Sequence, residues 1–306
     1  MKNRIVFFGT PHFSAEILCY LLSHHVPIVG LVTQPDRPKG RSLQVTPSPV
    51  KDVASGETPL LQPAKASDKD FLQALRMLQG DLYVVVAYGQ ILPPSLLAIP
   101  RLGVINVHTS LLPKYRGAAP IQRCLMAGET QTGVSIQKIV PELDAGDVIA
   151  TRTCPISPDM TFGELEKELC ILAKPLLLEV LQAYETKIPL ATAQDPNQVS
   201  YAKKIELAEG EIHWDEPAAL LHNRIRAFSP RPGAWCWLEP GHRRLKILRT
   251  RIAKQTGSPG KLLEPRNIVA CGNGALELIE VQPEGKKAMA ADDWLRGVPG
   301  LKQFLQ

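Results

Sequence analysis

Residues 82–87 read Leu-Tyr-Val-Val-Val-Ala. Six apolar residues in a row, without polar alternation, mark a strand covered on both faces, as in a parallel sheet. Working outward, similar short apolar runs recur at Arg4–Phe8, closed by Gly9-Thr10-Pro11, and at Ile28–Thr33, Val104–His108 and Val134–Ile139. Helical stripes lie between them. Ile17, Leu18, Leu21 and Leu22 recur at helical spacing. So do Phe71, Leu72, Leu75 and Leu78, behind Asp68, a side chain suited to an N-cap. Thr161 with Glu164 forms a capping box opening a helix that is predicted to reach about Tyr184. Strand–helix alternation at this spacing predicts an α/β domain built on a doubly wound, mostly parallel sheet.

The pattern changes near Pro189. Residues 189–206 show no period and carry Pro189, Pro196 and Asn197, which reads as a linker. Beyond it, Leu220–Phe228 is a short helical stripe. Trp235–Leu238, Leu245–Leu248, Gly260–Leu263, Ile268–Ala270 and Ala275–Val281 are short runs separated by turn residues, which predicts a small β-barrel or sandwich. The expected organisation is a first domain at 1–188, a linker at 189–206 and a second domain at 207–306. Two domains suit 306 residues, because a single core stops growing near ~250–300.

Composition narrows the class. With 44% hydrophobic and 21% charged residues, a wholly disordered chain is excluded. Six cysteines stand at 19, 124, 154, 170, 236 and 271, with no CxxC pair. That spacing encodes neither a zinc knuckle nor a disulfide scaffold and suits a reducing compartment. The apolar start ends at Gly9, too short for a signal peptide, and no run approaches the ~18 apolar residues of a membrane helix. A soluble, cytoplasmic protein without membrane association is expected, and no metal-ligand cluster is seen.

The chemistry concentrates in residues 104–117, Val-Ile-Asn-Val-His-Thr-Ser-Leu-Leu-Pro-Lys-Tyr-Arg-Gly. On a strand, residues two apart share a face, so Asn106 and His108 project together at a strand end, where open α/β sheets bind ligands. An amide there can donate to a developing oxyanion, and an imidazole can move a proton near neutral pH. A carboxylate is needed to orient and charge the imidazole. Asp144 and Asp147, in Glu-Leu-Asp-Ala-Gly-Asp, are the candidates, and spacing does not choose between them. Gly9-Thr10-Pro11 lacks the spacing of a phosphate loop.

These residues resemble the methionyl-tRNA formyltransferase family. The matching stretches are FFGTPHFS at 7–14, TQPDRPKGR at 33–41, PSPV at 47–50, VVVAYGQILP at 84–93, INVHTSLLPKYRGAAPIQ at 105–122, LDAGD at 143–147, Trp214 and QPEGKKAM at 282–289. The resemblance implies a Rossmann-like formyltransferase domain followed by an OB-like β-barrel. It implies formyl transfer from 10-formyltetrahydrofolate to the α-amine of methionine on initiator Met-tRNA, with no metal. The family's triad falls on Asn106, His108 and Asp144. Its folate contacts fall on Ser110, Leu111, Leu112 and Pro113, and the Val84–Ile91 segment is expected to line the pterin pocket. The loop at 34–49 is expected to enter the acceptor end of the tRNA, with Arg41 as its key arginine. Two departures stand out: Ser42-Leu43-Gln44 where some members carry lysines, and Thr109 where many carry glycine. The alternative is a folate-dependent formyltransferase acting on a small amine, such as a sugar amine or purine precursor.

Charge distribution favours RNA. The net charge of +5 conceals a window, residues 222–266, with eleven basic residues opposed only by Glu239 and Glu264. Its local balance of +9, interleaved with Trp235 and Trp237, suits a backbone-reading RNA surface on a monomer. The two tryptophans themselves are expected in the core.

Overall fold

The apolar run at residue 82 is a strand, Leu82–Val86, buried at every position. The computed structural model describes all residues except 40–43, 55, 187–188, 239–242, 299, 302–303 and 305–306. In chain order, the strands of the large sheet are β1 (Ile5–Gly9), β2 (Ile28–Val32), β3 (Leu60–Leu61), β4 (Leu82–Val86), β5 (Val104–His108), β6 (Gln131–Lys138) and β7 (Val148–Pro155). Across the sheet they lie in the order β7-β6-β5-β4-β1-β2-β3. The pairings from β5 through β4, β1 and β2 to β3 are parallel, whereas β6 runs antiparallel to β5. The chain winds outward from β1 to β3, then returns to β4 on the other side of β1. That reversal opens a crevice at the carboxyl ends of the strands.

Local signals explain the helices. In α1 (His12–Ser23), Ile17, Leu18 and Leu21 are buried. In α2 (Lys69–Met77), the Asp68 carboxylate accepts from the backbone N–H groups of Asp70 and Phe71 at 2.9 and 3.1 Å. In α3 (Phe162–Ala183), the expected capping box is present: the Thr161 N–H donates to Glu164 at 2.8 Å, and the Glu164 N–H donates back to the Thr161 hydroxyl at 3.4 Å. On one face of the sheet Phe8 meets the rings of Tyr83 and Tyr88, each at 5.5 Å, with Leu72 and Leu75 of α2 in the same cluster. Burying side chains of this size contributes roughly 1.5–3 kcal/mol each, which is why the period-free run of β4 ends up central.

The chain forms two compact units. The first comprises Met1–Gly117, Gly133–Cys154 and Lys167–Tyr201; the second comprises Ala118–Thr132, Pro155–Glu166 and Ala202–Gln306. The second contains helix α4 (Ala218–Phe228) and strands β8 (Ala234–Leu238), β9 (Arg243–Ala253), β10 (Leu262–Leu263), β11 (Ile268–Ala270), β12 (Ala275–Pro283) and β13 (Met289–Ala290). Their order is β8-β9-β12-β11-β10, with β13 also on β12 and every pairing antiparallel. The register of β9 on β12 shifts between Ile247 and Thr250, and such irregularities bend and twist a strand. The expected β-rich domain is a curled antiparallel sheet around a core that includes the fully buried Trp214, Leu221, Ile225 and Phe228.

Trp235 and Trp237 correct an expectation. Along β8 it is Ala234, Cys236 and Leu238 that are buried, while the two tryptophans alternate to the other side and are only half-buried. Strand alternation decides this, because one register cannot send both sets inward. The two indoles meet edge to face at 5.3 Å, and the Arg244 guanidinium lies 4.1 Å over Trp235. The Trp237 N–H donates to the Glu211 carboxylate at 3.2 Å.

Candidate active site

Strand β5 presents Asn106 opposite Val85 of β4 and Gln137 of β6, and His108 opposite Ser135 of β6. Val85, Asn106 and Gln137 thus form a row across three strands, and this row lines a cavity of about 210 Å³. The rest of the wall comes from Ala87–Leu92, just past the carboxyl end of β4, and from Lys138–Asp144. The segment expected to line a ligand pocket is therefore at the cavity.

His108 is 5% exposed. Its Nε2 lies 2.9 Å from the carbonyl oxygen of Tyr115. A carbonyl only accepts, so Nε2 carries the hydrogen in that contact. Nδ1 faces Asp144, with Oδ2 at 3.8 Å, within ion-pair reach but longer than a hydrogen bond. The structure thus separates the two candidate aspartates. Asp144 brings its carboxylate to His108, whereas Asp147 engages through its backbone carbonyl, accepting from the Lys138 N–H at 2.9 Å. Asp144 is itself held. The Gly117 N–H donates to Oδ2 and the Gln137 amide to Oδ1, both at 2.8 Å.

Backbone strain gathers at the same place. Among the described residues, five other than glycine have left-handed φ: His25, Gln79, Ala87, Tyr115 and Asp144. His25 and Gln79 follow the ends of α1 and α2, an ordinary place for that conformation. The other three border the site. Ala87 (φ 47°) is in the cavity wall, Tyr115 (φ 62°) supplies the carbonyl to His108, and Asp144 (φ 48°) supplies the carboxylate. Each such conformation costs on the order of 1–3 kcal/mol and persists here where it aims a functional group.

Ser110, Leu111, Leu112 and Pro113 form a turn after His108 and are not part of the cavity lining. Ser110 is buried and donates its hydroxyl to the Lys114 carbonyl at 2.6 Å. The Ser135 hydroxyl ties the turn down, donating to Ser110 O at 2.7 Å and accepting from Leu112 N at 3.1 Å. Thr109 is not among the left-handed residues, so its β-branched side chain meets no conformational conflict there. Arg41 lies outside the described residues.

Four contributors escaped the sequence reading. Ser135 and Gln137, two polar residues alternating with Val134 and Ile136 in the buried part of a strand, were a usable signal. Gln194 and Ser200 carried none. Both lie in the stretch read as a linker, yet the Ser200 hydroxyl accepts from Tyr115 N at 2.9 Å and Gln194 bonds the Asp144 loop.

The basic window of the second unit is less positive in space than in sequence. Arg226 is buried and donates to the carbonyls of Leu125 and Met160 and to Asn223; burial lowers its pKa. Arg224 makes a two-pronged pair with Glu216 at 2.6 and 2.7 Å, and Arg249 pairs with Glu164. Arg251 lies 3.7 Å from Asp159 and 3.6 Å from Glu277. All four carboxylates come from outside residues 222–266. Arg231, Arg243, Lys254 and Lys261 remain exposed.

Comparison with known proteins shows the family. A family model described as formyl transferase matches residues 3–181, and one described as formyl transferase, C-terminal domain, matches residues 204–299. The methionyl-tRNA formyltransferase of Protochlamydia amoebophila is 45% identical over 304 residues, covering 97% of this chain and 96% of that protein. Among solved structures, HypX from Aquifex aeolicus in complex with tetrahydrofolic acid has a TM-score of 0.69 at 17% identity, covering 99% of this chain. The present chain spans 49% of HypX. A methionyl-tRNA formyltransferase from Clostridium thermocellum has a TM-score of 0.56 at 15% identity, over 82% of this chain and 93% of that one. At such identities the two structures speak for the fold alone. The relative that is 45% identical along nearly its whole length, with both family models matched in order, makes the chain a member of the methionyl-tRNA formyltransferase family.

Proposed function

We propose that this chain transfers a formyl group from 10-formyltetrahydrofolate to the α-amine of methionine on initiator Met-tRNA. The observation that carries the reading is that Asn106 and Asp144 line one cavity at the carboxyl end of the sheet, with His108 Nδ1 3.8 Å from the Asp144 carboxylate. In this reading residues 1–188 form the catalytic domain, 189–206 a linker and 207–306 a tRNA-binding domain acting in a monomer. Ser110–Pro113 contact the folate, and Arg41 contacts the tRNA.

The residues present suit a folate. Val85, Leu92 and Ile139 give an apolar wall beside the Ala87–Gln90 segment. A volume of 210 Å³ is below the ~300–1,000 Å³ of pockets for drug-sized ligands, so the cavity serves one end of the molecule. The folate supplies the activated formyl group. Asn106 donates to the formyl oxygen as negative charge develops there, a contribution of ~10²–10³-fold. With Nε2 already carrying its hydrogen, the basic nitrogen of neutral His108 is Nδ1. A proton taken from the attacking amine at Nδ1, 3.8 Å from Asp144 Oδ2, is stabilised by that carboxylate and passes to N10 of the folate as the bond from N10 to the formyl carbon breaks. Acid–base help of this kind is worth ~10²–10⁴-fold.

The test is to incubate the protein with 10-formyltetrahydrofolate and charged initiator tRNA, with elongator Met-tRNA as control. Formylation of the initiator alone is expected. Transfer to a small amine with none to RNA would overturn the reading.

A further inference from the structure

We propose that Gln194 is a positioning residue for the reaction, holding Asp144 in its strained conformation from a stretch that the sequence presents as a linker. The proposal rests on the assignment of Asp144 to the catalytic site.

The geometry is specific. The Gln194 amide nitrogen donates to the carbonyl oxygen of Asp144 at 2.8 Å and to that of Gly146 at 2.7 Å. An amide nitrogen has two hydrogens, and these two contacts use both. The Gln194 carbonyl oxygen accepts from Nε and an Nη nitrogen of Arg116 at 3.0 and 2.8 Å. That fork fixes which end of the amide is the donor. The residue after Arg116, Gly117, donates its N–H to the Asp144 carboxylate. Gln137 binds the other carboxylate oxygen and lies 3.3 Å from the Gln194 nitrogen. Asp144 is thus fixed at its side chain by Gly117 and Gln137, and at its main chain by Gln194.

The main-chain hold matters because Asp144 has φ 48°, a conformation uncommon for residues other than glycine, although aspartate adopts it more readily than most. Gly146 sits so close that a Cβ there would meet the Lys138 carbonyl oxygen at 1.8 Å. The loop is therefore pinned on one side by Lys138 and on the other by Gln194. Releasing the Gln194 side lets the carboxylate leave its place beside His108, although Gln194 itself is not part of the cavity lining.

The experiment is a pair of variants in two backgrounds. Gln194→Leu removes donors and acceptor at similar volume; Gln194→Glu keeps the acceptor for Arg116 and removes both donors. Each is purified, its thermal melt recorded, and kcat and both KM values measured. Folded variants are expected to lose kcat on the order of tenfold to a hundredfold, as misplacement of a catalytic group does, with both KM values nearly unchanged. In an Asp144→Asn background, Gln194→Leu is expected to cause no further loss, because it acts through the carboxylate already removed. Wild-type kcat in the folded Gln194 variants overturns the proposal. An equal loss in both backgrounds overturns it too, leaving a merely structural role. Wild-type turnover in Asp144→Asn instead overturns the site assignment, and this proposal with it.

Discussion

Asp144 and Glu164 are both carboxylates held by several donors, yet they are treated differently. Glu164, in the second unit, pairs with Arg249 and with the Thr161 N–H and hydroxyl, and these contacts outweigh burial and lower its pKa. Asp144, in the first unit, is given a backbone N–H, an amide and the edge of an imidazole, on a left-handed backbone. The second unit does the same for its cations, matching Arg224, Arg249 and Arg251 to carboxylates and Arg226 to carbonyls. Charges that only stabilise are paired off. The carboxylate proposed to act in the reaction is held by neutral donors and aimed at a group that can change protonation.

The largest effects should come from breaking that arrangement in the first unit. Asn106→Ala, His108→Ala and Asp144→Ala are each expected to lower kcat by ~10²–10⁴-fold with melting temperature largely retained. A folded variant with normal turnover removes its residue from the scheme. Next comes a matched pair of glycines. At Gly146 a Cβ would meet the Lys138 carbonyl oxygen at 1.8 Å, and at Gly272 it would meet the Asp215 carbonyl oxygen at 1.7 Å. Both alanine variants should lose about 1–3 kcal/mol of stability to overpacking, read from denaturant melts. Only Gly146→Ala, which displaces the Asp144 loop, should also lose kcat, by on the order of a hundredfold.

The same contrast decides what could be read from sequence. Asn106 and His108 were legible because they lie two residues apart on one strand, where backbone period alone fixes their common face. The central strand was legible because an unbroken apolar run has only one good place in an α/β fold. By spacing alone Asp144 was one of two, and only the family resemblance chose it; what turns its carboxylate toward His108 is tertiary geometry. Gln194 was not legible at all, since a polar residue in an aperiodic stretch looks the same whether it bonds water or a catalytic loop. The +9 window misled for a related reason. Its compensating carboxylates, Glu216, Glu164, Asp159 and Glu277, lie outside it in sequence, and a window sum cannot see them.

That correction sharpens the RNA question. If tRNA phosphates are gripped by cations that the fold leaves exposed, Lys254→Ala and Lys261→Ala should each raise KM for Met-tRNA and reduce its logarithmic salt dependence by about one. Arg224→Ala and Arg249→Ala, which break internal pairs, should leave that slope nearly unchanged and cost about 1 kcal/mol or less. Arg41→Ala should raise KM for Met-tRNA far more than that for the folate. The reverse order among the second-unit variants would mean that the internal pairs open on binding RNA.

The smallest expected effect compares two buried histidines, His108 and His222. His108 is the proposed proton carrier; His222 lies away from the candidate site, in the second unit. His222 Nε2 donates to the Pro158 carbonyl at 3.0 Å, and Nδ1 lies 2.9 Å from the Thr250 hydroxyl, so the neutral ring is satisfied at both ends. Burial, and secondarily the nearby Arg226, hold its pKa below the ordinary 6.5; the Pro158 contact and Asp159, 3.5 Å away, oppose this. A histidine with a lowered native pKa binds its proton more readily when unfolded. Its contribution to stability is therefore complete above pH ~6.5 and declines as pH falls from there towards the native pKa. Wild-type protein should lose more melting temperature than His222→Gln between pH about 7.5 and about 5.5, while turnover of the variant at neutral pH stays normal. Asp159→Asn, which removes the one carboxylate favouring the charged ring, should steepen the decline. A flatter curve in Asp159→Asn would mean that the acid sensitivity of this unit lies in its carboxylate pairs rather than in His222.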